Sequence, residues 1–301
     1  MRQNLCSKKA IKERANFFSA MIYLFPSFFL LSIFMFYPLL KTLFLSFHLT
    51  NTLGKPIENI GFENYINMLS EDGFLQSLKV TFMFAFFTVV IGIALALFFA
   101  LLANEGLKGS NFFGTFYTST MGISVAAGAT IWLFLFHPSM GALNNMLGLI
   151  NIPPVKWLTG QASAFIAVTL TTIWMNIGFD FLVLSSGLKN IPEELYESSR
   201  LDGAGYFRQL FSITIPLLSP TLFFICVVSI INALQSFGQI DILTSGGPSK
   251  ATNLIVYSIY KEAFINYRFG SASAQAIVLF LFVLLLTGLQ FKVEKGMVHY
   301  K

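Results

Sequence analysis

The stretch KNIPEELYESSRLDGAGYFRQLFSITIPLLSP, residues 189–220, separates two strongly apolar runs, and its reading decides how the whole chain is understood. It opens with helix-start chemistry. Asn190 is placed to cap, Pro192 fits a first turn, and Glu193 and Glu194 favour the positive end of a helix dipole. Glu197 is spaced to pair with Arg200 one turn on. Gly203 and Gly205 then break the helix, because glycine accepts a positive φ that strains other residues. A second amphipathic piece follows, with Tyr206, Phe207, Leu210 and Phe211 apolar and Arg208 and Gln209 polar, and Pro216 marks the return to apolar sequence. The expected element is a helix, a glycine elbow and a second helix. Physics alone leaves two roles open for it, a loop resting on lipid headgroups or a shaped element that fits a cleft on a partner.

The rest of the chain places this element beside a membrane. Of 301 residues, 55% are hydrophobic and 11% charged, and 35 are phenylalanine. A soluble domain carries about 25% charged residues. The net charge of +5 does not call for a nucleic acid, because five of the nineteen Lys and Arg residues fall within the first fourteen positions, directly ahead of an apolar run. Cys6 and Cys226 lie in a polar tail and an apolar run, which argues against a disulfide. His48, His137 and His299 are scattered, and no metal-ligand spacing appears. No Ser-His, paired-Asp or His-Glu-x-x-His constellation lies on the apolar runs, and there is no Gly-x-x-x-x-Gly-Lys-Ser/Thr phosphate loop.

About twenty apolar residues cross the hydrocarbon core as a helix. Six runs meet or approach that length: Met21–Leu40, Thr81–Ala103, Phe113–Phe136, Ala162–Leu184, Leu217–Phe237 and Ala274–Phe291. The first is too long for a cleaved leader and is expected to be a retained span. The third, with Gly122, Ser124, Ala126, Ala127, Gly128 and Ala129, suits close helix packing and, more sharply, a place beside a solute path. With the N-terminus inside, the inner segments hold twelve Lys and Arg residues against seven outside. That bias favours both termini on the cytoplasmic side. The expected fold is therefore an all-α polytopic membrane protein with six transmembrane helices. Its parts are a basic tail over 1–16, a first span and outer loop over 17–80, a core over 81–291 with the elbow at 190–216, and a tail over 292–301. The outer loop Lys41–Lys79, with Gly54, Pro56 and Gly61, reads as turns plus a short helix.

The elbow resembles the cytoplasmic signature of ABC importer permeases, Glu-Ala-Ala, three residues, Gly, then an apolar stretch ending in Leu-Pro. Glu197, Asp202, Gly203, Ala204, Phe211, Ile213 and Pro216 match it. Ser198 and Ser199 stand where the family usually has alanines, and Ile215 stands where leucine is common. The flanking residues 191–197 and 201–205, the segment Leu243–Pro248, and the pairs Ile259-Tyr260 and Ala263-Phe264 are typical of the carbohydrate-uptake branch, in particular its maltose-type and glycerol-3-phosphate-type first permease subunits.

The resemblance implies a type I importer permease that binds no cofactor itself. ATP would be used by a separate cytoplasmic ABC ATPase dimer, a second homologous permease would complete the pore, and an extracellular solute-binding protein would deliver a sugar, an oligosaccharide or glycerol 3-phosphate. Glu197, Asp202, Gly203 and Ala204 would form the ATPase-coupling elbow. The helices equivalent to the fourth and fifth spans line the sugar site of the maltose-type family. On those spans the polar and aromatic candidates are Asn176, Phe179, Asp180, Ser229, Asn232, Gln235 and Ser236. Asn232, Gln235 and Ser236 share a helix face by spacing, and Asp180 is expected near the outer end of its span, in reach of solvent. A stand-alone secondary transporter or channel is the alternative. It predicts buried charge pairs and leaves the elbow unexplained.

Overall fold

The computed structural model describes residues 21, 23–104, 114 and 119–297; the basic tail over 1–16 lies outside the described residues. The described residues are mostly helical. Among them five helices are long and apolar enough to cross a membrane: α1 (Tyr23–Leu45), α3 (Asp72–Asn104), α6 (Gln161–Lys189), α8 (Tyr206–Leu234) and α11, whose apolar part is Phe269–Lys292. Shorter helices connect them: α2 (Glu63–Ser70), α4 (Val125–Leu135), α5 (Ala142–Leu149), α7 (Glu193–Leu201), α9 (Gly238–Leu243) and α10 (Ile255–Tyr260).

The ends of the long helices depart from the apolar runs. α3 starts at Asp72, well before Thr81, because its first turns are amphipathic: Phe74 and Ser77 are buried, and the Ser77 hydroxyl donates to the Gly73 carbonyl at 2.9 Å. The third expected span is described only in part. Ser124 is extended, and its side chain caps α4 by accepting from the Ala127 N–H. A 3-10 turn, Thr120–Gly122, stands apart before it. The described helix, Val125–Leu135, has 11 residues and is too short to cross alone. Of its small residues only Gly128 and Ala129 are buried, so the all-small packing face expected for this span is narrower than the composition implies.

Two apolar clusters make the core. One packs Ala96 and Ala100 of α3 against Ile177, Phe181, Leu184 and Leu188 of α6, with Leu218 and Ile225 of α8. Small residues on α3 let the α6 backbone come close. The other gathers Phe84 and Val89 of α3, Ala167 and Val168 of α6, Leu234 of α8, Ile240 of α9 and Tyr257 of α10. The chain's three tryptophans adjoin it: Trp132 lies edge-on to Trp174 at 5.9 Å, and Phe136 bridges Trp132 and Trp157. α1 is exposed along nearly all its length, as suits a lipid-facing helix at the rim.

The loop over 41–79 holds α2, the short helix expected there, and also an antiparallel hairpin, β1 (His48–Thr50) with β2 (Pro56–Asn59). The hairpin sits on the start of α11. Gly270 donates its N–H to Thr50 Oγ1 at 3.1 Å, and a Cβ at Gly270 would collide with the His48 carbonyl.

α6 and α8 cross at Gly187, where a Cβ would stand 2.7 Å from Leu218 Cδ1 and 2.8 Å from Thr221 Oγ1. Overpacking such a site costs about 1–3 kcal/mol. Gly187→Leu is expected to lower the unfolding midpoint of the detergent-solubilised chain by about 3 °C or more, followed through tryptophan fluorescence, with Gly187→Ala falling between. An unchanged midpoint for the leucine variant would show that the crossing yields freely.

Candidate functional site

Two sites stand out: the elbow at one end of the bundle, and a polar seam between α6 and α8.

In the elbow, α7 follows α6 after a linker so short that Asn190 belongs to α6. It is the C-cap of that helix, with its N–H on the Gly187 carbonyl. Asn190 therefore does not cap α7; Pro192 occupies that position and gives no side-chain cap. Glu193 and Glu194 lie in the first turn of α7, as expected. Glu197 and Arg200 are both exposed and form no ion pair; among the described residues the pairs recorded join Arg268 to Glu71 and Glu262.

The end of α7 is a Schellman motif. The Ala204 N–H reaches the Ser199 carbonyl at 2.9 Å, and the Gly203 N–H reaches the Arg200 carbonyl at 3.0 Å. Gly203 has φ +76°, the left-handed conformation this motif requires, and no atom beyond its chain neighbours lies within 4 Å of where its Cβ would be. The glycine is demanded by backbone geometry, not by crowding.

The second limb is not a separate helix. It starts at Tyr206 behind an extended Gly205 and runs without a break into the α8 span. A π turn, Leu210–Thr214, makes this possible, with the Ile215 N–H reaching back to the Leu210 carbonyl. Pro216 follows as a first-turn proline, so it continues the helix rather than marking a break. One turn on, Pro220 cannot donate to the Pro216 carbonyl; the Ser219 hydroxyl does so instead, at 2.7 Å. A push on the elbow thus acts directly on a membrane helix.

The tip is bare. α7 buries none of its residues, Leu201 is 89% exposed, Phe207 72% and Phe211 65%. Behind it a cavity of about 720 Å³ opens between the two limbs and the ends of α3 and α6, lined by Asn104, Lys189, Tyr196, Arg200, Gln209 and Thr214 among others.

In the second site, Asp180 is 3% exposed, with the Ser229 hydroxyl of α8 donating to its Oδ1 at 3.3 Å. Its Oδ2 faces Gly92 of α3, 3.9 Å from where a Cβ would stand. The expectation of a solvated Asp180 near the outer end is thus corrected. It lies among three helices, about 13 Å along α6 from the elbow end. Asn176, half-buried, is one turn away on the same stripe, and Thr172 one turn further. The Thr172 hydroxyl accepts from Gln239 Nε2 of α9 at 3.1 Å. Sequence reasoning missed Thr172 and Gln239. The i, i+4, i+8 spacing of Thr172, Asn176 and Asp180 was a usable signal for the first, but nothing local pointed to the second. Phe179 is half-buried beside the stripe.

Asn232, Gln235 and Ser236 do not share a face. α8 ends at Leu234 and Gln235 is its C-cap, so Gln235 and Ser236 leave the helical register. Ser236 turns inward and bonds the Asn232 carbonyl at 3.0 Å. The Asn232 and Gln235 side chains are exposed, with no hydrogen bond recorded among the described residues.

Residues 89–299 match the model of the family described as "Binding-protein-dependent transport system inner membrane component". The sn-glycerol-3-phosphate transport system permease protein UgpA of Agrobacterium fabrum is 35% identical over 276 residues, covering 91% of this chain and 94% of that protein. UgpA of Escherichia coli O6:K15:H31 is 32% identical over 279 residues, with 92% and 94% covered. A chain in the crystal structure of a bacterial alginate ABC transporter, in complex with an alginate pentasaccharide-bound periplasmic protein, superposes with a TM-score of 0.82 at 23% identity, covering 94% of this chain and 96% of that one. A bare elbow continuous with a membrane helix, on a multi-pass helical bundle, thus sits within a chain that belongs to the family of binding-protein-dependent transport system inner membrane components, the permease subunits of ABC importers.

Proposed function

We propose that this chain forms one half of the translocation path of an ATP-driven importer in a bacterial or archaeal cytoplasmic membrane. A second homologous permease supplies the other half. Both termini and the elbow face the cytoplasm, a cytoplasmic ABC ATPase docks on the elbow through Glu197, Asp202, Gly203 and Ala204, and an extracellular binding protein delivers the solute. The observation that carries this reading is the elbow: a capped helix that buries nothing in its own chain and joins a spanning helix without a break. Exposed apolar surface at such a tip marks a partner's seat.

The proposed cargo is a carbohydrate, a sugar or oligosaccharide. Asn176, Phe179, Asp180, Ser229, Asn232, Gln235 and Ser236 offer amide, hydroxyl and carboxylate groups for sugar hydroxyls and a ring for stacking, in a setting where polar groups are costly unless they meet a cavity or a partner. Glycerol 3-phosphate is a second reading, favoured by the names of the relatives at 32–35% identity. Against it, the described polar seam holds a buried carboxylate and no Lys or Arg, so a phosphate would need cations from the second permease.

Co-expression with the ATPase and binding protein encoded alongside, followed by purification and uptake into proteoliposomes, tests the assembly. The ATPase is expected to co-purify, and Asn232→Leu with Gln235→Leu is expected to lower uptake about ten-fold while ATP hydrolysis persists, a loss equal to one or two hydrogen bonds. Uptake driven without an ATPase would instead favour a secondary transporter. Wild-type uptake of a neutral sugar and of glycerol 3-phosphate by the double variant would remove the two amides from the path.

A further inference from the structure

Four side chains tie the two limbs of the elbow together. Ser199 of α7 accepts a hydrogen bond from Gln209 Nε2 on the second limb at 2.9 Å and donates its own proton to the Tyr196 carbonyl at 2.8 Å. The Tyr196 phenol lies 2.9 Å from Thr214 Oγ1, in the π turn that feeds α8. Thr214 is buried, and Tyr196, Ser199 and Gln209 are half-buried, lining the inner wall of the elbow while its outer face stays bare. Beside the Gly203–Gly205 link and the Schellman bonds, these two pairs are the side-chain hydrogen bonds recorded between the limbs among the described residues. Ser199 is one of the two positions at which this chain departs from the alanine pattern of the signature, and alanine has no hydroxyl for Gln209 to bond.

We propose that the Ser199–Gln209 and Tyr196–Thr214 pairs are a polar clasp that fixes the angle between the limbs, so that a force on α7 moves α8 rather than bending the Gly203–Gly205 hinge. These are positioning residues. None of them faces outward to a docked partner, and they act through the rigidity of the element that does. A glycine-containing hinge is soft by construction, so a lever built on one transmits displacement only if side chains brace it. Each bond contributes modestly in partly wet surroundings, and the two together raise the cost of opening the angle enough to matter on the scale of coupling energies between sites. The mechanical part stands on the geometry alone; the consequence for transport rests on the docking role proposed above.

The test has two arms. In a full-length chain with Cys6 and Cys226 replaced by serine, spin labels at the exposed positions Glu194→Cys and Arg208→Cys report the distance between the limbs in lipid nanodiscs. Ser199→Ala combined with Gln209→Leu is expected to broaden that distance distribution about two-fold, Tyr196→Phe to broaden it less, and Ser199→Thr, which keeps the hydroxyl, to leave it close to wild type. A distribution of unchanged width in the double variant overturns the clasp. In the assembled transporter, the double variant is expected to keep its ATPase at wild-type stoichiometry and to lose about five-fold in solute moved per ATP hydrolysed. A lower yield or midpoint with a wild-type transport ratio would make the four residues structural only and overturn their role in coupling. Failure of the wild-type chain to hold an ATPase would defeat the docking reading, and the clasp would still be decided by the distance measurement.

Discussion

Replacing Gly203 with proline is expected to abolish solute uptake while leaving the protein in the membrane at its normal level. Proline fixes φ near −65°, and Gly203 sits at +76°. The substitution also removes the N–H that bonds the Arg200 carbonyl, so the Schellman turn that ends α7 cannot form. The rest of the fold has little reason to respond, because no α7 residue is fully buried and no atom beyond the flanking residues lies within 4 Å of the site of a Cβ at 203. That second fact gives the experiment its control. A Cβ meets no crowding there, so the backbone discriminates. Gly203→Asn, whose side chain tolerates the left-handed conformation, is expected to retain most uptake. Gly203→Val, β-branched and unfit for it, is expected to behave like the proline variant. Surface expression and uptake of the three variants separate this account from one in which Gly203 is needed for its size. If valine and asparagine were tolerated equally, crowding or conformation at 203 would have no part in coupling.

Much of this element was legible in the residues. Gly203 after Leu201-Asp202 announces a left-handed cap whatever surrounds it, because the requirement is set by the Cβ and the backbone of one residue. The long helices were legible for a related reason, since the bilayer sets a minimum apolar length. What the sequence concealed were features decided by contact. The first turns of α3 and the Tyr206–Thr214 limb of α8 alternate polar and apolar residues, so a hydropathy count stops short of them, yet each continues its helix. Asn190 has good capping chemistry, but it belongs to the end of α6. Nothing in Ala233-Leu234-Gln235-Ser236 resembles a helix stop. The helix ends there as Ala233 and Leu234 pack into the core and Phe237 adopts φ −138°, ψ −62°, which breaks the face that Asn232, Gln235 and Ser236 were expected to share. The same holds for the polar seam: Ser229 lies 49 residues from Asp180 and Gln239 lies 67 from Thr172, distances at which spacing rules are silent.

A solute path must be polar enough to receive its cargo and still close against leakage. Here Gln239 donates to Thr172, while Asn232 and Gln235 are exposed, with no side-chain hydrogen bond recorded among the described residues. Groups of the second kind are expensive against hydrocarbon, so they are expected to face either the proposed second permease or water. Buried bonds tie the start of α10 to α3: Asn253 Nδ2 to Ser77 Oγ at 2.7 Å and the Ile255 N–H to Thr81 Oγ1 at 2.9 Å. The elbow, by contrast, bears on α8, whose other end carries Asn232 and Gln235. One helix therefore joins the elbow to candidate solute contacts.

Asp180→Asn is expected to lower transport about ten-fold while leaving the chain as stable as wild type or more so. The carboxylate is 3% exposed between α3, α6 and α8, and its recorded hydrogen bond, from Ser229, is long at 3.3 Å. Neither of the recorded ion pairs involves it. A single weak bond does not offset the removal of such a group from water, which costs several kcal/mol in a membrane interior. The arrangement seen here is therefore disfavoured by Asp180, and any rearrangement that lets water or solute hydroxyls reach the group is favoured by it. In a transporter that alternates between two forms, such a group acts as a fixed bias toward the open one. Asparagine keeps the size and can still accept from Ser229, but it is far less costly to bury, so the arrangement seen here gains. The readouts are the unfolding midpoint of the purified chain and uptake into proteoliposomes containing the assembled transporter. A midpoint equal to or above wild type with reduced uptake is the expected signature. Wild-type uptake by the asparagine variant would leave Asp180 as a packing contact and remove it from the transport cycle. A collapse of the midpoint would show instead that the carboxylate holds the three helices together.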